Sequence, residues 1–321
     1  MKDRGAKHVG RTNRDPLVWG RYLAVAGAYA ACYELTRYFS FSHWTLTAGL
    51  RLACLLLVPK RYWPALVIGE ALPTAESAAL HAHQYGALWA ILTSIPLILV
   101  CLPVVGWLRS RANLLRDDGQ INMGMVMFAT LACALLSALD NSLTLSTVVM
   151  DDGTSPTATL PIFLAWTLGA YLGALTLTPT IMALRERLAA QPLGVMTWDA
   201  VWHSRLTRDA LLIAVPSLAL LMILSSQASD GMLQATRIAM ALPVVLMTLR
   251  HGWHGSAIGG MLASIAMAST SFHLQDPAMI QAQTVLAFVL STSLLFGIRV
   301  ARRLAASHHV GQEATIGSNR H

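Results

Sequence analysis

The stretch Trp44-Thr45-Leu46-Thr47-Ala48-Gly49-Leu50-Arg51-Leu52-Ala53-Cys54-Leu55-Leu56-Leu57-Val58-Pro59-Lys60-Arg61-Tyr62-Trp63-Pro64 decides the fold. An apolar run is stopped by a Pro-Lys-Arg-Tyr-Trp turn, and a second apolar run, Ala65 to Leu80, begins immediately after it. Two short apolar helices joined by a basic, aromatic turn read as a hairpin in a membrane, because Lys and Arg stay on the cytoplasmic side and Trp favours the headgroup interface. The remainder of the chain repeats this grammar. Of its 23 Lys and Arg residues, all but Arg37, Arg51 and Arg237 fall in segments that lie on one side if the apolar stretches cross in turn.

Composition agrees. The chain has 321 residues, 55% hydrophobic and 12% charged, with a mean hydropathy of +0.53. That leaves too little polar surface for a soluble globule, and the apolar runs approach the roughly 20 residues that span a bilayer. The expected fold is an all-α polytopic membrane protein. It is a bundle of about ten transmembrane helices, counting eight to ten, with both termini cytoplasmic. Helices are expected near Trp19–Tyr38, Trp44–Val58, Tyr62–Leu80, Gly86–Leu108, Ile121–Met150, Thr159–Leu184, Asp209–Ser226, Arg237–Leu249, Gly252–Phe272 and Ile280–Ile298. The organisation is a basic cytoplasmic tail, residues 1–18, a bundle over 19–303, and a short cytoplasmic tail, 304–321. The net charge of +7 needs no nucleic-acid partner, since the basic residues sit where insertion and anionic headgroups place them.

Ionisable groups inside spans carry most information, because a charge in hydrocarbon is costly unless paired or wetted. They are Glu34, Arg51, Glu70, Glu76 and Asp140, with Asn141 beside the last. Arg51, Glu34, Glu76 and Asp140 fall at similar depth in the outer half, and Glu70 lies nearer the midplane, within reach of Arg51. Two readings follow: a polar ligand pocket open to the outside, with Pro73 bending its helix around it, or a buried ion-pair network that only locks the bundle. His81 and His83 have a spacing seen in metal ligands, but loop histidines are commonly solvated, and no metal or cofactor is expected. Cys32, Cys54, Cys101 and Cys133 show no paired spacing and read as small hydrophobes. Met123, Met125 and Met127 read as packing. No Gly-rich phosphate loop, H-E-x-x-H or G-x-S-x-G motif is present, so no enzymatic activity is expected. Trp198, Val201, Trp202 and Leu206, in the inner loop Arg185 to Arg208, recur near helical spacing, as in a segment that lies along the membrane surface or docks a partner.

Several of these stretches together resemble the MASE1 membrane-associated sensor family. Its W-P-x-x-G opening and G-R-x-W-P turn are similar to Trp44 through Gly49 and to Arg61, Trp63 and Pro64 followed by Gly69. Its W-x-G-D-x-x-G-x-L-x-x-x-P helix is similar to Trp166, Gly169 and Gly173 running to Pro179, and its R-F-G turn to Arg250-His251-Gly252. This chain departs at Ala170, where the family usually carries an intramembrane Asp, at Pro59-Lys60, and at Thr47-Ala48, where a Pro is common. The resemblance implies a sensor input in the bacterial inner membrane, with the lipid bilayer as its surroundings; a homo-oligomer stays open, since the sequence does not set the oligomeric state. Its family joins such a bundle to a histidine kinase, a diguanylate cyclase (GGDEF) or a phosphodiesterase (EAL). The expectation here is a stand-alone bundle that relays to such a protein, or to a response regulator, in trans. The alternative is a transporter or the solute-binding subunit of one.

Overall fold

In the computed structural model, residues 16–41, 44–115, 120–150, 153–189, 202, 204–270 and 276–318 are described. All named elements among them are helices: α1 Pro16–Tyr38, α2 Leu46–Leu57, α3 Trp63–Tyr85, α4 Ala87–Thr93, α5 Ile98–Arg111, α6 Met123–Leu145 and α7 Leu160–Ala189. The chain continues as α8 Arg205–Ser226, then α9 Asp230–Ala239, α10 Leu242–His251, α11 Trp253–Ala268 and α12 Pro277–Ser318. A π turn at Ala210–Ala214 interrupts α8 just before Pro216.

Local chemistry explains the boundaries. Val58 is extended because Pro59 follows it, which ends α2. Pro64 sits in the first turn of α3, where its missing N–H costs no helical bond. Gly252, at φ +62°, reverses the chain between α10 and α11, a conformation that a side chain resists. The Asn122 side chain caps α6 by accepting from the Met125 amide at 3.2 Å. Two expected single helices are broken. Gly86–Leu108 becomes α4 and α5, separated at Pro96, and the Arg237–Leu249 helix is preceded by a further segment, so that α9 and α10 meet at Met240 and Ala241. Pro73, Pro103 and Pro179 remain inside helices.

Among the described residues six stretches are long and apolar enough to cross a membrane: 87–111, 123–145, 160–189, 205–226, 231–251 and 277–303. α1 and α3 are also 23 residues each but carry more polar side chains, α2 has 12 residues and α11 has 16. Large apolar side chains such as Leu23, Leu72, Ile91, Leu212 and Phe288 point outward, which suits a protein solvated by lipid.

The helix α7 is the spine. It packs against α2 and α6 in a first lobe and against α11 and α12 in a second. At the α2–α7 crossing the backbones touch: a Cβ on Gly173 would lie 2.0 Å from the Thr45 carbonyl oxygen, and one on Gly49 would lie 2.5 Å from that of Gly173. Thr178 Oγ1 donates to the Gly49 carbonyl at 2.9 Å, Thr45 N to that of Gly169 at 3.0 Å, and Trp44 Nε1 to Thr176 Oγ1 at 3.2 Å. Small residues at helix crossings are the usual means of close packing in lipid.

One end of the bundle, the basic end, carries Lys60, Arg61, Arg109, Arg111, Arg250, Arg299 and Arg302. There Arg109 donates to the Leu55 and Val58 carbonyls at 2.7 and 2.9 Å and lies against Trp63. Trp198 and Val201 fall outside the described residues; Trp202 is exposed and Leu206 buried. Cys101 and Cys133 are buried, while Cys54 is half-buried and Cys32 faces outward. Met123 and Met125 pack in the core.

Candidate functional site

Arg51 sits midway along α2, a helix buried along most of its length, and its own side chain is buried. A charge so placed must find a partner. Glu70 of α3, fully enclosed, supplies it: Nε lies 3.0 and 3.1 Å from the two carboxylate oxygens and Nη2 lies 2.9 Å from Oε1. The Glu70 oxygens take two further donors, the Tyr29 hydroxyl of α1 at 2.8 Å and the Ile98 amide of α5 at 3.0 Å. That amide is available because the break at Pro96 begins a new helix there. Next to Glu70, a Cβ on Gly69 would lie 2.5 Å from the Ala26 carbonyl, so α1 lies close enough to bring Tyr29 into reach. One carboxylate thus ties together α1, α2, α3 and α5.

Beside this knot, away from the basic end, lies a polar cavity of about 180 Å³. Its walls are Thr45, Thr47 and Arg51 from α2 and its approach, Thr93, Ile95 and Leu97 around the α4–α5 break, Ser137, Asp140, Asn141 and Thr144 from α6, and Ala170 from α7. Tyr33, Ala48 and Thr74 complete it. Among the described residues Arg51 Nη1 has no hydrogen-bond partner in the protein, and the half-buried Asp140 carboxylate makes no hydrogen bond or ion pair, though it feels the Arg51 charge. Thr93 Oγ1 is enclosed without a partner. Ala170, the point of departure from the family motif, lies in this wall and is buried.

The structure therefore brings together Arg51, Glu70, Asp140 and Asn141. It places two other sequence candidates elsewhere. Glu34 pairs with Arg37 one turn along α1 at 3.0 Å, both half-exposed, and Glu76 is exposed on α3 outside the cavity lining. His81 Nδ1 lies 2.8 Å from the Ser77 carbonyl and its ring stacks on Tyr85, while His83 is exposed. Among the described residues no group of three His, Cys, Asp or Glu can hold a metal ion. A larger groove of about 520 Å³, between α6 and α12 at the basic end, is lined among the described residues by apolar side chains with Asn122, Arg299 and Arg302.

A second Arg–carboxylate site was not anticipated beyond the anomaly of Arg237 among the basic residues. Arg237 of α9, fully buried, donates from Nη1 to Asp276 at 2.6 Å, from Nε to Thr270 Oγ1 at 3.1 Å and from Nη2 to the Thr270 carbonyl at 2.8 Å. Asp276 also accepts from the Ala278 and Met279 amides that open α12. At the basic end, Asp209 meets Arg250 at 3.2 Å and His251 at 3.0 Å, which fastens α8 to the turn that Gly252 makes.

Fold and site together define a multi-pass helical membrane protein with a buried ion pair beneath a polar cavity. The chain belongs to the MASE1 family, whose model matches residues 16–304, and is thereby a membrane sensory-input module. It is similar to the signal transduction histidine-protein kinase/phosphatase UhpB of Salmonella typhimurium (strain LT2), at 26% identity over 239 residues, which is 70% of this chain and 41% of that protein. The chain thus spans less than half the length of that relative. No solved structure matches it.

Proposed function

We propose that the bundle takes up a small polar ligand in the cavity over Arg51 and passes the event to a signalling partner. The observation that carries this reading is the gathering of unspent hydrogen-bonding groups over a knot that joins four helices, in a chain of a sensor family. A ligand that binds one arrangement of these helices better than another shifts the equilibrium by the difference in affinity, about 1.4 kcal/mol for each factor of ten. The element best placed to move is α5, whose recorded bond to the knot is the single Ile98 amide. In this reading the apolar stretches make eight to ten crossings of the bacterial inner membrane, with both termini cytoplasmic because the basic end faces inward. The output surface is α12 with Arg299, Arg302 and Arg303, and the partner is a histidine kinase, a GGDEF or EAL protein, or a response regulator. The transporter reading is served less well, since alternating access needs a site reachable from both faces, and the ion pair lies between the cavity and the basic end.

In-membrane crosslinking from α12, followed by mass spectrometry of captured proteins, tests this. Recovery of a kinase, cyclase, phosphodiesterase or response regulator is expected. Recovery of transport subunits, together with solute uptake that depends on this protein, would replace the sensor reading.

A further inference from the structure

The charges around the cavity do not balance. Arg51 and Glu70 pair directly within the knot, whereas Asp140, which feels the Arg51 charge, makes no hydrogen bond or ion pair of its own among the described residues and lies half-buried in a helix that is long and apolar enough to span. A carboxylate kept in such a place is stabilised by a cation that meets it. The cavity also has a fixed polarity in hydrogen bonding. Arg51 Nη1, on a side chain more than nine-tenths buried, can only donate, so the group facing it has to be an acceptor. The Asp140 carboxylate, when ionised, can only accept, so the group facing it has to be a donor. Thr93 Oγ1, enclosed and unpartnered, can serve either. At about 180 Å³ the cavity suits a compact molecule.

We propose that this cavity binds a small ammonium compound that also carries an oxygen acceptor, of the amino-alcohol or α-amino-acid kind. The ammonium meets Asp140 and the oxygen meets Arg51 Nη1. The proposal rests on the sensory reading of the same cavity and names what it senses. Both a free solute and the amine-bearing headgroup of a phospholipid offer this chemistry, and the test separates them.

The full-length protein, reconstituted in nanodiscs of phosphatidylglycerol alone, is melted in the presence of ethanolamine or serine, which carry both groups. Ethylamine carries the ammonium alone, glycolate the acceptor oxygens without the ammonium, and sodium chloride controls for a bare cation. Ethanolamine or serine is expected to raise the melting temperature saturably, with ethylamine and glycolate needing at least about tenfold higher concentration for the same shift, since each leaves one buried partner unmet. Asp140→Asn abolishes the response, and Thr93→Val, which keeps the shape of the side chain, weakens it. Nanodiscs of phosphatidylethanolamine that give the full shift with nothing added assign the ammonium to a lipid headgroup; response only to added solute assigns it to a free ligand. Equal response to ethylamine or sodium, a stronger response to glycolate, a response that survives Asp140→Asn, or no response to any probe would overturn the proposal. Retention of partner crosslinks at α12 in those cases leaves the sensory reading standing and removes only the ligand class.

Discussion

Two buried arginines, Arg51 in the first lobe and Arg237 in the second, each face a carboxylate, and they use their nitrogens differently. Arg237 spends all three on the protein, on Asp276 and both oxygens of Thr270, and so clamps α9 to the end of α11 and the start of α12. Arg51 spends two on Glu70 and leaves the third at a cavity. A saturated guanidinium is a fastener. An unsaturated one, in the same lipid-surrounded setting, is a fastener with a binding site attached.

The largest effect expected from this contrast is at Glu70. Glu70→Gln leaves the Arg51 charge enclosed and is expected to cost about 3–5 kcal/mol, whereas the double change Arg51→Met with Glu70→Leu restores most of it. Denaturant unfolding in mixed micelles reads both. A double variant no more stable than the single one would show that the pair does more than cancel its own charges. The next effect is at the crossing that holds α2 in place. Gly173→Val sets side-chain carbon where the Thr45 carbonyl already lies, and a loss of about 1–3 kcal/mol or more is expected in the same assay. Should the loss be negligible, α2 and α7 are not locked together and Arg51 is free to move with its helix.

The clamp should be milder. Asp276→Asn removes one charged hydrogen bond and weakens the cap of α12, for about 1–2 kcal/mol, because Asp276 retains some contact with solvent. Hydrogen exchange at the Ala278 and Met279 amides should speed up while ligand response is unchanged; a lost response would erase the distinction between fastener and site. The smallest effect is in acid. Burial pushes the Asp276 carboxyl upward, but hydrogen bonds from Arg237 and from the Met279 and Ala278 amides outweigh it and hold it below the usual range. The contribution is therefore full above the unfolded value of about 3.9 and is lost as pH falls through the lower folded value. Melting of the native protein and of Asp276→Asn should converge only below about pH 4.

The helical rods were largely legible, because long apolar runs bounded by basic turns have few other readings: Thr159–Leu184 was expected and Leu160–Ala189 is found. The break before α5 was not, since Pro96 and Pro103 look alike in the sequence and only Pro96 has a carboxylate waiting to take the freed amide. The pairing of Arg51 with Glu70 was foreseen from depth alone. Depth could not tell which face a side chain occupies, and here Glu76 parts from Glu70: six residues turn a helix by about 600°, to a largely different side. Glu34 had a local escape in Arg37, three residues on. The Arg237 clamp left one trace, a basic residue on the wrong side of the charge pattern, and its partner lies 39 residues away, beyond α10 and α11.

The shortness of α2 has a consequence for the bilayer itself. Twelve residues rise about 18 Å, against a hydrocarbon thickness of about 30 Å. Hydrophobic mismatch of that size is relieved by thinning the lipid or by admitting water at the short end. α2 is walled by α1, α6 and α7, so on the proposed sensory reading water rather than lipid is expected to make up the missing depth. In that reading the dielectric boundary would be drawn down toward Arg51, and a charged solute would reach the ion pair without entering hydrocarbon.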